Sequence, residues 1–142
     1  MKNWVKITLF SVLFIAIVAV LIGLHEFNLK HPDTSRAKPD FVVTATVMEK
    51  EFENNEAVAS AKYINKIIEV SGTIASVTNA DSTHINVSLK TGSDISSVIC
   101  TFAAGGDQSK IRPGEEITLR GECSGYLMDV LLNNCALIVN QK

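Results

Sequence analysis

The sequence predicts a mainly β protein: a five-stranded OB-fold Greek-key barrel, preceded by a short α-helical segment and by one N-terminal transmembrane helix. Three observations predict it. Short runs between Ile67 and Val139 alternate apolar with polar residues, turn-forming residues separate those runs, and the stretch Val5 to Leu24 carries no charge beyond Lys6 at its start. Alternation at period two points one face of a strand into a core. Five short strands leave exposed edges unless the sheet closes. A partly open five-stranded barrel supplies that closure.

Residues 1–24 read as a membrane anchor. At about 1.5 Å per residue a twenty-residue helix spans about 30 Å, the thickness of a bilayer's hydrocarbon core. Lys2 and Lys6 flank its start, with Trp4 at the depth expected of an interfacial aromatic. A buried core helix would need a polar face, and Thr8 and Ser11 supply the span's only hydroxyls. A cleavable signal peptide is the rival reading. Its apolar region would be shorter, about 7 to 15 residues, and would end at a small-x-small site; Gly23 to Phe27 offers none. No cysteine precedes Cys100, so a lipid-attachment cysteine is absent. A short tail bearing two lysines stays inside, although Lys30, Arg36 and Lys38 follow the span. The expectation is a single-pass membrane protein with its domain on the extracytoplasmic side.

Residues 25–40, with Pro32 and Pro39, read as a flexible linker. Residues 41–142 form the OB-fold domain, opened by a helix over about 47–64. Thr46 and Glu49 fit a capping box, in which hydroxyl and carboxylate satisfy exposed N–H groups. Met48, Phe52, Ala59 and Tyr63 share one helical face, and Glu49, Lys50 and Glu53 the other. Asn54 and Asn55 invite a break into two helices. The strands follow at Ile67–Thr78, Thr83–Lys90, Ser96–Phe102, Glu116–Cys123 and Asp129–Val139. Gly72 sits where a long first strand must turn the barrel's corner.

The runs ASAKYINKIIEVSGTIASV, VICTF and IRPGEEITLRGECSGYLMDVLLNNCALIV resemble the bacterial tRNA_anti-like OB-fold family, small exported or membrane-anchored proteins. The likeness covers Met48 to Val139. It is carried by Lys62 and Tyr63, Gly72, Cys100 to Phe102, Pro113 and Gly114, Gly121 to Cys123, and Asn134 and Cys135. The resemblance implies the fold and the N-terminal hydrophobic segment. It implies no tRNA binding, since the family name records only a likeness to anticodon-binding domains.

On an OB-fold the ligand face is expected on the second and third strands. Here that face offers His84, Asn86, Ser88 and Lys90, then Ile99 and Thr101. It lacks the aromatic platforms worth about 1–3 kcal/mol per stacked base. From Asp40 onward the chain holds eight basic and thirteen acidic residues, a balance of −5. A phosphate-backbone binder shows the opposite sign, so nucleic acid is an unfavoured ligand.

No catalytic or metal-binding constellation emerges. His25 and His31 belong to the linker, the cysteines lack zinc spacing, and Gly105 to Lys110 does not match a phosphate loop. Asp129 is read as a hairpin cap. Cys100 and Cys135 are the favoured disulfide pair over Cys123 and Cys135, because the last strand should run parallel to the third; an Asn133–Asn134 bulge would turn Cys135 inward. Cys123 is then free, and three free thiols remain open. The expected function is a non-enzymatic, membrane-anchored binding module without cofactor, holding a protein partner. The alternative is single-stranded nucleic-acid or oligosaccharide binding on the strand face.

Overall fold

Strict alternation of burial runs through β3 (His84–Lys90) and β4 (Ser97–Ala103), where every second residue is buried. That is the period-two signal made structural. The computed structural model describes residues 1, 11–22, 34–103 and 111–138. The chain divides into two units, Met1–His31 and Pro32–Lys142.

In the first unit, residues 11–22 form helix α1, on which Val12, Leu13, Phe14, Ile15, Leu21 and Ile22 are exposed. Among the described residues no helix is long and apolar enough to cross a membrane. The rest of the expected Val5–Leu24 span, with Lys2, Trp4 and Lys6, lies outside the described residues, as do residues 25–33 of the expected linker.

The second unit is mainly β. β2 (Ile67–Asn79) pairs antiparallel with β5 (Glu116–Leu127) through Thr73 and with β3 from Ile74 onward. β3 pairs antiparallel with β4, and β4 runs parallel to β6 (Asp129–Leu137). β6 returns antiparallel to β5, and the β2–β5 ladder closes the five-stranded barrel. The exchange of partners falls just after Gly72, where an added Cβ would lie 3.2 Å from Ala45 Cβ. The first barrel strand therefore turns its corner where expected.

Three local expectations are corrected. A sixth strand, β1 (Phe41–Thr44), lies parallel to β2 at the sheet's edge. Residues 34–40 are no spacer: the Arg120 guanidinium donates to the carbonyls of Ala37 (2.7 Å) and Ser35 (3.3 Å). Thr34 donates to the Asn134 carbonyl, and the Asp40 carboxylate accepts from the Ile67 N–H at 2.9 Å. Finally, α2 (Ala45–Asn54) begins before Thr46. Thr44 caps it, accepting from the Val47 N–H at 3.2 Å.

The expected break falls at Asn55, whose side chain caps α3 (Glu56–Tyr63) by accepting from the Val58 N–H. Met48, Phe52, Ala59 and Tyr63 are buried as one face, and the two helices pack against one end of the barrel. Each fully buried large apolar side chain contributes about 1.5–3 kcal/mol. Phe41 meets Tyr63 edge-on at 5.3 Å and Phe52 stacks on Tyr126 at 5.0 Å. Lys62 lies 4.6 Å above the Tyr63 ring and pairs with Glu51 at 2.7 Å. That contact lowers the Glu51 pKa and raises that of Lys62.

Candidate functional site

The strand face exists as read from the sequence. Register places Asn86 opposite Thr101, Ser88 opposite Ile99 and Lys90 opposite Ser97, so His84, Asn86, Ser88, Lys90, Ile99 and Thr101 share one outward surface. Two of its polar side chains bond to each other, and His84 is held by the turn before β3. Thr101 Oγ1 donates to Asn86 Oδ1 at 2.8 Å. His84 Nδ1 lies 3.1 Å from the Asp81 carboxylate, which also accepts the Thr83 N–H (2.6 Å) and hydroxyl (2.7 Å). The two Thr83 bonds, with His84 adding to them, hold the Asp81 pKa down to about 2. Lys90, at the far end of β3, is exposed.

Lys90 also lines an open groove of about 510 Å³, which the sequence did not reveal. Its walls are the β3–β4 loop, from Gly92 to Ser96, and the heads of β4 and β6 at Ser97 and Asp129. The loop is tightly built. Gly92 takes φ +101°, a left-handed value that disfavours other residues. The buried Thr91 hydroxyl donates to the Ser96 carbonyl at 2.7 Å. Ser96 in turn donates its hydroxyl to the Glu49 carboxylate. Glu49 is thus 1 % exposed, not on the solvent side of α2, because its partner lies on a distant loop.

Asp129 is no hairpin cap. Its Oδ1 accepts from both the N–H (2.7 Å) and the hydroxyl (2.8 Å) of Ser97, joining β6 to β4. The hairpin beside it ends in Leu127 and Met128, 79 % and 66 % exposed, with Met128 at φ +66°. Across the groove Ile95 is 77 % exposed. Burial, and then the carboxylates of Glu49, Glu53, Glu56 and Asp129, raise the Tyr126 pKa. A groove of mixed polar and apolar lining, with Asp94 and Asp129 in its walls and an exposed apolar hairpin tip beside it, can hold a polypeptide.

The three cysteines are buried free thiols. The expected Cys100–Cys135 bridge is therefore not formed, though its geometric premises hold. β6 runs parallel to β4 with Leu132 opposite Cys100, and an irregularity at Asn133–Asn134, where Asn134 takes φ +51°, turns Cys135 inward. The Cys135 thiol lies 3.4 Å from the Leu132 carbonyl. Burial pushes the Cys100 pKa well up, and the Cys135 thiol adds to it. Burial takes Cys123 to about 11. Among the described residues no His, Cys, Asp and Glu side chains group to hold a metal. The Gly105–Lys110 loop lies outside the described residues.

The chain is similar to several solved structures. A lipoprotein of Klebsiella pneumoniae to which nucleic-acid binding is ascribed is 19% identical, with a TM-score of 0.50, over 68% of this chain and 91% of its own. Asparaginyl-tRNA synthetase of Entamoeba histolytica is 12% identical, with a TM-score of 0.41, over 55% of this chain and 22% of that one. The yeast Stn1 and Ten1 structure is 11% identical, with a TM-score of 0.40, over 76% and 67%. No curated protein matches the chain. The tRNA_anti-like family model matches residues 1–137, and the chain belongs to the tRNA_anti-like family.

Proposed function

We propose that this protein is a non-enzymatic binding module of the cell envelope, tethered through its N-terminal apolar segment, that holds a protein partner in the groove between the β3–β4 loop and the β5–β6 hairpin. The observation that carries this reading is a groove lined by the exposed Ile95 and by Asp129, beside which the β5–β6 hairpin exposes Leu127 and Met128. Exposed apolar side chains rimmed by polar groups mark interaction surfaces. The tether is supported by the uncharged run from Ile7 to Leu24 and by the exposed apolar surface of α1. The shared fold with a lipoprotein agrees with an envelope location. In this reading the domain faces the extracytoplasmic side, because a short tail bearing Lys2 and Lys6 stays inside.

Nucleic-acid or oligosaccharide binding on the β3–β4 face is the second reading, and its support is the fold alone. The face has no aromatic platform, Asn86 is bonded to Thr101 and His84 to Asp81, and the domain is acidic. Photo-crosslinking in native membranes separates the two. A crosslinking residue at Ile95 is expected to trap a protein, and one at Thr101 is expected to trap none. Adducts with nucleic acid or glycan at Thr101, and none at Ile95, would reverse the assignment.

A further inference from the structure

The rim of the groove is not electrically neutral. Glu53 on α2 and Glu56 on α3 lie within electrostatic reach of Tyr126, near the end of β5, on whose ring Phe52 stacks. Asp129 follows the hairpin tip, and Asp94 lines the same groove with Ile95. Among the described residues the one cation that lines the groove is Lys90. Among the described residues, carboxylates thus outnumber cations around the exposed Leu127, Met128 and Ile95.

We propose that the occupant is a basic, amphipathic polypeptide segment, with apolar side chains packing on Leu127, Met128 and Ile95 and lysine or arginine facing Glu53, Glu56, Asp94 and Asp129. The proposal rests on the protein-partner reading above and names that partner's chemistry. Charge selects this occupant over three others. Anionic lipid headgroups attract basic patches, and this rim is acidic. A phosphate backbone meets the same repulsion. A second copy of the chain across a twofold axis would set like carboxylates against each other. A basic segment instead gains Coulomb attraction while it covers the exposed tip.

The test uses the full chain in maltoside micelles, measured against empty micelles. The probes are a leucine–lysine amphipathic peptide, its leucine–glutamate and serine–lysine counterparts, and phosphatidylglycerol vesicles. The leucine–lysine peptide is expected to bind at least about tenfold more tightly than either counterpart. Glu53→Gln with Glu56→Gln should weaken it about fivefold and flatten its salt dependence. Leu127→Ser with Met128→Ser should weaken it about tenfold. These positions are exposed, so an unchanged melting temperature verifies the fold of each variant. Equal binding of the leucine–glutamate peptide, indifference to the tip substitutions, or vesicle capture that needs Leu127 and Met128 would each overturn the proposal. A crosslink from Ile95 to a protein segment lacking basic residues overturns it while sparing the partner reading. Failure of both peptide binding and crosslinking removes both.

Discussion

Asp129 Oδ1 takes two hydrogen bonds from Ser97, one from its backbone N–H and one from its hydroxyl, and so ties the head of β6 to the head of β4. Both strands begin at the groove. Asp129→Ala leaves a partly buried N–H without its acceptor, which costs about 1–3 kcal/mol. Chemical denaturation should show a lowered midpoint with unchanged slope. Amide exchange should rise locally in the β3–β4 loop. An unchanged midpoint would mean that water replaces the carboxylate without loss.

Gly121 leaves no space for a side chain. A Cβ there would lie 2.5 Å from Cys135 Sγ and 3.1 Å from the Asn133 carbonyl oxygen. Gly121→Ala should therefore destabilise the barrel by about 1–3 kcal/mol. Cys135→Ala removes the sulfur and should recover part of that loss, so the two substitutions are non-additive. The Asn133 carbonyl stays in place, and recovery is incomplete. A double-mutant cycle on melting temperature measures the coupling.

Arg120 holds the segment before β1. Its Nη2 donates to Glu69 at 2.6 Å and its Nη1 to the Ala37 carbonyl at 2.7 Å, with the pair 14% and 19% exposed. That burial sets the value between an exposed pair, near zero to 1 kcal/mol, and a buried one. Arg120→Ala is expected to cost about 1–3 kcal/mol. Limited proteolysis should then cut at residues 34–39 before the barrel unfolds. Protection equal to that of the unmodified protein would show that Thr34 and Asp40 suffice to hold the segment.

These contacts also show what the sequence could and could not disclose. The barrel strands were legible because a core lined by Val98, Cys100 and Phe102 imposes strict alternation. The face residues His84 to Thr101 followed from the same parity. β1 escaped because four residues carry too little period, and its strand state comes from pairing with β2. Glu49 and Asp129 escaped for a related reason. Their partners, Ser96 and Ser97, lie 47 and 32 residues away, so local patterns assigned them to a cap and a turn. The groove is built from those same long-range bonds, and no motif announces it.

Cys123 makes alkaline stability a readout of core burial. Its thiol is raised from about 9 to about 11 in the folded state. The neutral thiol is favoured on folding, so this contribution is full below about pH 9 and falls as pH rises towards about 11. A two-unit shift corresponds to about 2–3 kcal/mol. Denaturation midpoints should decline across that window, and Cys123→Ala should flatten the decline. Native alkylation at pH 8 should be slow for all three buried thiols and complete after unfolding. Fast modification of Cys123 in the folded state would contradict its burial.

Met128 separates stability from binding. A residue with a side chain at φ +66° bears a conformational cost of about 1–2 kcal/mol that glycine escapes. The Met128 side chain is 66 % exposed, so little packing repays that cost. Met128→Gly should therefore leave stability unchanged or raise it by about 0.5–1 kcal/mol, the gain being partly offset by the greater entropy of the unfolded chain. The same change removes an apolar contact at the hairpin tip and should weaken partner binding. A melting curve shifted upward together with reduced crosslinking from Ile95 would show that the strained, exposed methionine serves recognition. Reduced stability with intact crosslinking would show instead that Met128 serves the fold.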